Sequence, residues 1–218
     1  MEVSINKRIQ ESAEKTARAI RALLESRNIL SMNFISSPGS GKTTLIEKII
    51  EAFEGQRRVA VIEGDIETDI DSERIRKYGI PVCQINTRSS CHIQPFQLLK
   101  ALETMDLDAV DILVVENVGN LVCPAEVPLG ENIRVVLLSV TEGAEKPLKY
   151  PLVFRTSDIL LITKTDLLPF VTFDTEAVRN AARAVNPGIE IFEVSATSGS
   201  GLDLLLERIE SLTARRTG

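Results

Sequence analysis

The sequence predicts an α/β chain, a mostly parallel sheet clad by helices on both faces in three layers. Three observations predict it. Short apolar runs alternate with helix-period stretches from Ile29 onward. Most runs lack internal polar alternation, so both faces of each strand read as buried, which a helix-covered parallel sheet requires. A glycine-rich turn ending in Lys-Thr-Thr lies between the first run and the first helical stretch after it.

Each element follows from its pattern. Residues 4–27 read as an amphipathic helix, with Ile5, Ile9, Ala13, Ala17, Ile20 and Leu24 near one face and charges between them. The strand-like runs are 30–35, 59–62, 80–85, 112–115, 135–140, 159–163 and 189–194. The helical stretches between them are 42–54, 69–78, 93–104, 174–185 and 202–215. No repeat or low-complexity linker interrupts the series. The expected organisation is an N-terminal helix over 1–28, packed on or adjoining one nucleotide-binding domain over 29–218.

Composition narrows the function classes. The 218 residues carry 25 Lys and Arg against 31 Asp and Glu, a net charge of −6, where a non-specific nucleic-acid or anionic-membrane binder carries a basic excess. Aromatic residues are 4% and Trp is absent, which removes the stacking platforms of single-strand binders. Apolar runs stop at four residues, such as 112–115, far short of the roughly 20 of a membrane span. Three cysteines, Cys83, Cys91 and Cys123, are too few and too odd for a disulfide scaffold, and the opening Met1-Glu2-Val3-Ser4 is not an export leader. The expectation is a cytoplasmic chain without nucleic-acid or membrane partners.

Ser36-Ser37-Pro38-Gly39-Ser40-Gly41-Lys42-Thr43-Thr44 follows the first strand and opens a helix. That context turns a Gly-x-Gly-Lys-Thr match into a phosphate-binding loop, and the fold into a P-loop NTPase. Gly39 and Gly41 allow successive amides to turn inward as an anion nest, backed by the positive helix end. Lys42 is expected at the β- and γ-phosphates and the Thr43 hydroxyl on Mg²⁺. Ser36 stands where the general pattern has Gly.

Two acids complete the expected magnesium site. Glu116 ends the fourth strand, at the edge where ligands bind in such sheets. Glu116-Asn117-Val118-Gly119 has the spacing of a phosphate-sensing turn, with the Gly119 N–H at the γ-phosphate. Glu63-Gly64-Asp65 ends the second strand, and Asp65 either holds magnesium or orients the attacking water.

The base is read from Thr163-Lys164-Thr165-Asp166, which matches the Asn-Lys-x-Asp of guanine-nucleotide proteins except for its first residue. A carboxylate at Asp166 accepts from guanine N1–H and N2–H₂. Adenine would leave it unpaired, a strong basis for discrimination. Thr163 lacks the amide that ordinarily ties neighbouring loops together. Ser195-Ala196 resembles the Ser-Ala turn that contacts the guanine carbonyl.

Cys91-His92, which contains the only histidine, and Cys123 offer thiolate and imidazole donors suited to Ni²⁺ or Zn²⁺. By spacing alone an adjacent Cys-His pair is more often structural, and three ligands leave a tetrahedral site incomplete. A dimer brings two such sets together on its two-fold axis. Cys83, inside a strand-like run, reads as a small core residue.

Taken together, the phosphate loop, Val61-Ile62-Glu63-Gly64-Asp65, Cys91-His92 and Glu116-Asn117-Val118-Gly119-Asn120-Leu121-Val122-Cys123-Pro124-Ala125 resemble the HypB-type GTPases that help insert nickel into [NiFe]-hydrogenase. The likeness runs over nearly the whole chain. The related urease nickel-delivery GTPase carries Cys-Pro-His, a triplet absent here. The resemblance implies Mg²⁺-dependent GTP hydrolysis with slow intrinsic turnover and nucleotide-linked homodimerisation. It also implies an interface metal site made by Cys91, His92 and Cys123, with a maturation partner and the hydrogenase large subunit as clients. It gives Lys42, Thr43, Asp65 and Glu116 to phosphates and magnesium, and Lys164 and Asp166 to guanine. The 64–72 and 117–125 loops are expected to order on the γ-phosphate. Residues 1–35 contain neither His nor Cys, so a metal store is not expected there. Ile93-Gln94-Pro95 follows the Cys-His pair, and Pro95 moves the helix start. Alternative readings are a related chaperone for urease or a cobalamin enzyme, and a passive metal- or nucleotide-binding scaffold.

Overall fold

A computed structural model describes residues 2–65, 70–87 and 90–217, with no statement of the side chains of residues 2–9, 70, 71 and 217. Ile5 and Ile9 of the expected helix face, residues 66–69 of the expected 64–72 loop, and Arg88 and Ser89 fall outside that description.

The chain runs α1 (Glu2–Ser26), β1 (Leu30–Ser36), α2 (Lys42–Phe53), β2 (Val59–Asp65), α3 (Ile70–Arg76), β3 (Val82–Asn86), α4 (Pro95–Glu103), β4 (Ile112–Glu116), α5 (Cys123–Glu126), β5 (Ile133–Ser139), α6 (Lys146–Lys149), α7 (Pro151–Arg155), β6 (Ile159–Thr163), α8 (Thr175–Val185), β7 (Glu190–Val194) and α9 (Leu202–Thr217). Among the described residues seven strands lie in the order β3-β2-β4-β1-β5-β6-β7, and every pairing is parallel. β1 sits between β4 and β5, and the connections from β1 to β2 and from β4 to β5 run toward opposite halves of the sheet. Ligand crevices form at such switch points, beyond the strands' C-terminal ends.

Burial explains the strand composition. Leu30, Met32 and Phe34 of β1 face α2 and α9 through Leu45, Ile46, Ile49, Leu205 and Ile209. On the opposite face, Ala60, Ile62, Leu113 and Val115 pack against Ile20 and Leu24 of α1 and Leu98 and Leu102 of α4. Farther along that face, Val136, Leu138, Leu160 and Ile162 meet Val153, Phe154, Val178 and Ala182 of α7 and α8.

Boundaries moved where local chemistry competes. β3 starts at Val82 rather than residue 80, because Pro81 has no N–H to give the ladder, although its carbonyl accepts from Val61 N–H at 3.0 Å. α4 starts at Pro95 rather than 93, proline being favoured in a first helical turn. α1 docks through Ala17, Ile20 and Leu24. Its backbone approaches Gly130 so closely that a Cβ there would lie 2.2 Å from the Ala17 carbonyl oxygen. Arg21 Nε donates to the Gly130 carbonyl at 2.9 Å.

Candidate functional site

The phosphate loop spans the end of β1 and the start of α2. Gly39 and Gly41 adopt φ of 76° and 88°, the left-handed region where glycine has no Cβ penalty. Ser36 is still in β1, paired in register with Leu137 and without a positive φ, so glycine is not required there. The loop lines a cavity of about 580 Å³ with Asp65, Arg74, Glu116, Val118 and Gly119. Pro38, Ser40, Thr43 and Thr44 line it too, so the sequence-assigned phosphate residues meet in one place.

Glu116 lies at the cavity floor, 3% exposed. Its Oε1 accepts from the Thr43 hydroxyl at 2.7 Å and lies 3.3 Å from Lys42 Nζ. Its Oε2 is buried and has no hydrogen-bond partner among the described residues. A buried carboxylate oxygen left unmatched beside a threonine hydroxyl is the donor set a hard divalent cation uses, so these residues fit Mg²⁺. Glu63 stands opposite Glu116 in the β2–β4 register and is equally buried, a second acid at this strand end. Gly119 abuts the loop: a Cβ there would sit 3.0 Å from Pro38 Cγ and 3.2 Å from Pro38 N.

A second cavity, about 260 Å³, adjoins the first, sharing Ser40, Gly41, Thr44 and Lys164. Thr163, Asp166, Ala196 and Thr197 also line it. Lys164 holds φ 59°, unusual for a side-chain-bearing residue, and its amine donates to the Gly39 carbonyl at 2.7 Å. The Lys164 stem therefore crosses Gly41. Buried Ser195 donates to Asp166 Oδ1 at 2.5 Å, which aims the carboxylate. The Thr163 hydroxyl donates to the Ser40 carbonyl at 2.7 Å. The tie expected to be lost with asparagine is thus made by the threonine.

Cys91, His92 and Cys123 converge, with all candidate ligand atoms within 4.8 Å of one another. Cys123 begins α5, while Cys91 and His92 precede α4. Cys91 Sγ lies 3.7 Å from His92 Nδ1, and the Gln94 carboxamide 2.7 Å from His92 Nε2. The Gln94 atom in contact is its amide nitrogen, which donates to Nε2 and leaves the ring proton on Nδ1 facing Cys91; a metal on Nδ1 requires the carboxamide to turn so that its oxygen accepts from Nε2–H. Burial keeps the His92 ring below its ordinary pKa despite nearby Glu126, which favours the neutral, ligating form. The neighbouring Cys91 thiol and burial push the Cys123 thiol up. Cys83 is partly buried against the α1/α4 core, apart from this cluster.

Sequence reasoning missed Asn117's side chain, Gln94, and a buried chain of Asn33, Glu131 and Arg134. The signal for the last was present: Ser31 and Asn33 alternate with apolar residues inside β1, a polar stripe in a strand that is otherwise core.

A family model described as CobW/HypB/UreG, nucleotide-binding domain, matches residues 31–193. The hydrogenase maturation factor HypB of Azotobacter chroococcum mcd 1 is 47% identical over 208 residues, 95% of this chain and 68% of that protein. The factor of the same name from Azotobacter vinelandii is 49% identical over 197 residues, 90% of this chain and 65% of that protein. The chain thus spans about two thirds of these relatives' length. The crystal structure of HypB from Helicobacter pylori in complex with nickel matches at a TM-score of 0.89 and 32% identity, over 94% of this chain and 96% of that one.

Proposed function

The chain belongs to the CobW/HypB/UreG family, and from that premise we propose that it is a GTP-hydrolysing metallochaperone delivering nickel to a [NiFe]-hydrogenase. The relatives' name, hydrogenase maturation factor, and the nickel in the H. pylori structure support this client and cargo. The observation that carries the reading is covalent. Glu116, on the floor of the phosphate cavity, and Cys123, in the thiol–imidazole cluster, are ends of one short segment. A change at the phosphates has only a few peptide units to cross before it moves a metal ligand.

GTP lies across both cavities. Asp166 reads guanine and Lys164 covers the loop beneath it, with Ser195 and Ala196 closing the pocket. Amides of residues 39–44 and the Lys42 amine hold the phosphates. Thr43, Asp65 and Glu116 would hold Mg²⁺, which would supply charge neutralisation on the phosphates. Lys42 stabilises the charge that develops as water attacks in line, and Gly119 offers its N–H to the γ-phosphate. Loss of the γ-phosphate releases segment 117–125, an order–disorder switch. Ni²⁺ or Zn²⁺ is cargo on Cys91, His92 and Cys123. Three protein donors leave a coordination position that a second copy fills, and Val122 beside Cys123 is exposed to meet it.

Solution mass, measured with a non-hydrolysable GTP analogue, Mg²⁺ and Ni²⁺, tests nucleotide, cargo and dimer together. The expected result is a dimer with guanine nucleotide and metal in one-to-one ratio to chains. A monomer that takes up nucleotide but no metal would contradict the chaperone reading and favour a plain nucleotide-binding scaffold.

A further inference from the structure

Asn117 lies between the two halves of this site, 1% exposed. Its main-chain carbonyl accepts from Lys42 Nζ at 2.5 Å. Its side-chain Oδ1 accepts from Ile93 N–H at 3.1 Å and from Val118 N–H at 3.0 Å. Ile93 directly follows His92. The Nδ2 donates to Asn33 Oδ1 at 3.3 Å. From there the bonds continue: Asn33 Nδ2 to Glu131 Oε1 at 3.2 Å, Arg134 Nε to the same oxygen at 2.7 Å, and Arg134 Nη1 to the Ala125 carbonyl at 3.2 Å. Ala125 is in α5, the helix that starts at Cys123.

One residue is therefore tied to the phosphate-loop lysine and the backbone beside His92. Through three buried side chains it is also tied to the helix carrying Cys123. Buried polar chains whose members are hydrogen-bonded hold one geometry, because breaking any link strands a polar group away from water. On its other side the Ile93 side chain packs closely on β2. A Cβ at Gly64 would lie 2.5 Å from Ile93 Cγ1, so β2 is pressed against it.

We propose that Asn117 is the positioning residue that sets the spacing of His92 and Cys123 according to whether Lys42 holds the Asn117 carbonyl or a phosphate. This rests on the nucleotide-linked metal site proposed above and names the residue that links it. Phosphate oxygens are charged acceptors and outcompete a peptide carbonyl for an ammonium. A triphosphate in the loop draws Lys42 away, and the 117–118 peptide is then free to turn. The Asn117 side chain moves with it, shifting Ile93 and Asn33, and with them both sides of the thiol–imidazole cluster.

The test is Ni²⁺ affinity by chelator competition, in nucleotide-free and GTP-analogue states, for the unaltered chain, Asn117→Ala and Asn33→Ala. Exchange protection of the Ile93 amide is followed in parallel, a readout that mere loss of stability would not make nucleotide-independent. The unaltered chain is expected to show affinities that differ between states on the order of fivefold or more, the usual scale of coupling between sites. In Asn117→Ala the ratio falls to about one, and Ile93 exchanges alike in both states. Asn33→Ala, outside the nucleotide cavities, lowers the ratio while GDP affinity stays within about twofold. An unaltered chain with a ratio of one overturns the parent reading of a nucleotide-linked metal site. A ratio that survives in both variants overturns the role of Asn117 alone. Should Asn117→Ala fail to fold, Asn33→Ala carries the test by itself: a lowered ratio supports the link through Asn117, and an unchanged one overturns it.

Discussion

In the proposed reading Asp166 reads the base by what its carboxylate accepts, and Ser195, donating to its Oδ1 at 2.5 Å, sets where it points. Asp166→Asn replaces one of the two acceptor oxygens with an NH₂ donor and removes the charge. Hydrogen bonds to charged groups contribute about 1.5–3 kcal/mol, so GTP binding is expected to weaken by roughly 10- to 150-fold. Xanthosine triphosphate, with a carbonyl where guanine has its amine, is expected to gain. Competition binding with GTP, ATP and the xanthine nucleotide checks this, and a variant that still prefers GTP would contradict it. Thr163 is where expectation and structure diverge most usefully. Read as a lost asparagine, it implied a missing tie between neighbouring loops, yet its hydroxyl reaches the Ser40 carbonyl at 2.7 Å. Thr163→Val strands that buried carbonyl, at about 1–3 kcal/mol, and is expected to lower both GDP affinity and the melting temperature. Had the hydroxyl been idle, both would stay unchanged. The residue types at the phosphate loop were legible because amide nests and helix ends need glycine, lysine and threonine at fixed offsets. Asn117 and Gln94 were not, because a carboxamide's partners are set by packing rather than by spacing.

Elements were legible where their apolar pattern is long enough to have a period. All seven strands lie within a few residues of their expected places, since most are buried on both faces. α5, α6 and α7 were not foreseen. They are four, four and five residues long, each with proline in its first turn, and too short to display a helical repeat. α5 matters most, since it carries Cys123 and was read only as the tail of a loop. α1 was legible as amphipathic, but not the glycine that receives it. Gly130, at φ 86°, lies against the α1 backbone. Gly130→Ala adds a Cβ to both a left-handed backbone and a 2.2 Å approach, and is expected to cost about 1–3 kcal/mol, read by denaturant melting. An unchanged midpoint would mean that α1 does not dock as described. Leu24→Ala is expected to cost about 2–5 kcal/mol by the same measure, since that side chain is fully buried.

At the scale of the whole molecule, the Glu131–Arg134 pair is an ion pair sealed beneath the site, with side chains 7% and 9% exposed. Burial alone would raise the Glu131 carboxyl, but Arg134 and Asn33 outweigh it and hold the pKa below the ordinary value. A depressed folded-state pKa contributes stability above the ordinary carboxylate pKa, lost as pH falls through the folded value. Acid unfolding therefore draws on Glu131, and Glu131→Gln is expected to flatten stability against pH in the acid limb. Because it leaves Arg134 buried without its counter-charge, it also costs about 3–5 kcal/mol near neutrality. An acid limb identical to that of the unaltered chain would contradict this. Among the described residues no helix is long and apolar enough to cross a membrane. Beyond the C-terminal ends of its strands the fold gathers the phosphate-loop residues, Lys164 and Asp166, and the Cys91–His92–Cys123 cluster. Titration of Ni²⁺ into Cys123→Ala beside the unaltered chain, each with GTP bound, puts that convergence to the test. The variant is expected to lose most of its nickel affinity while its GTP affinity is retained. Nickel binding equal to that of the unaltered chain would contradict it.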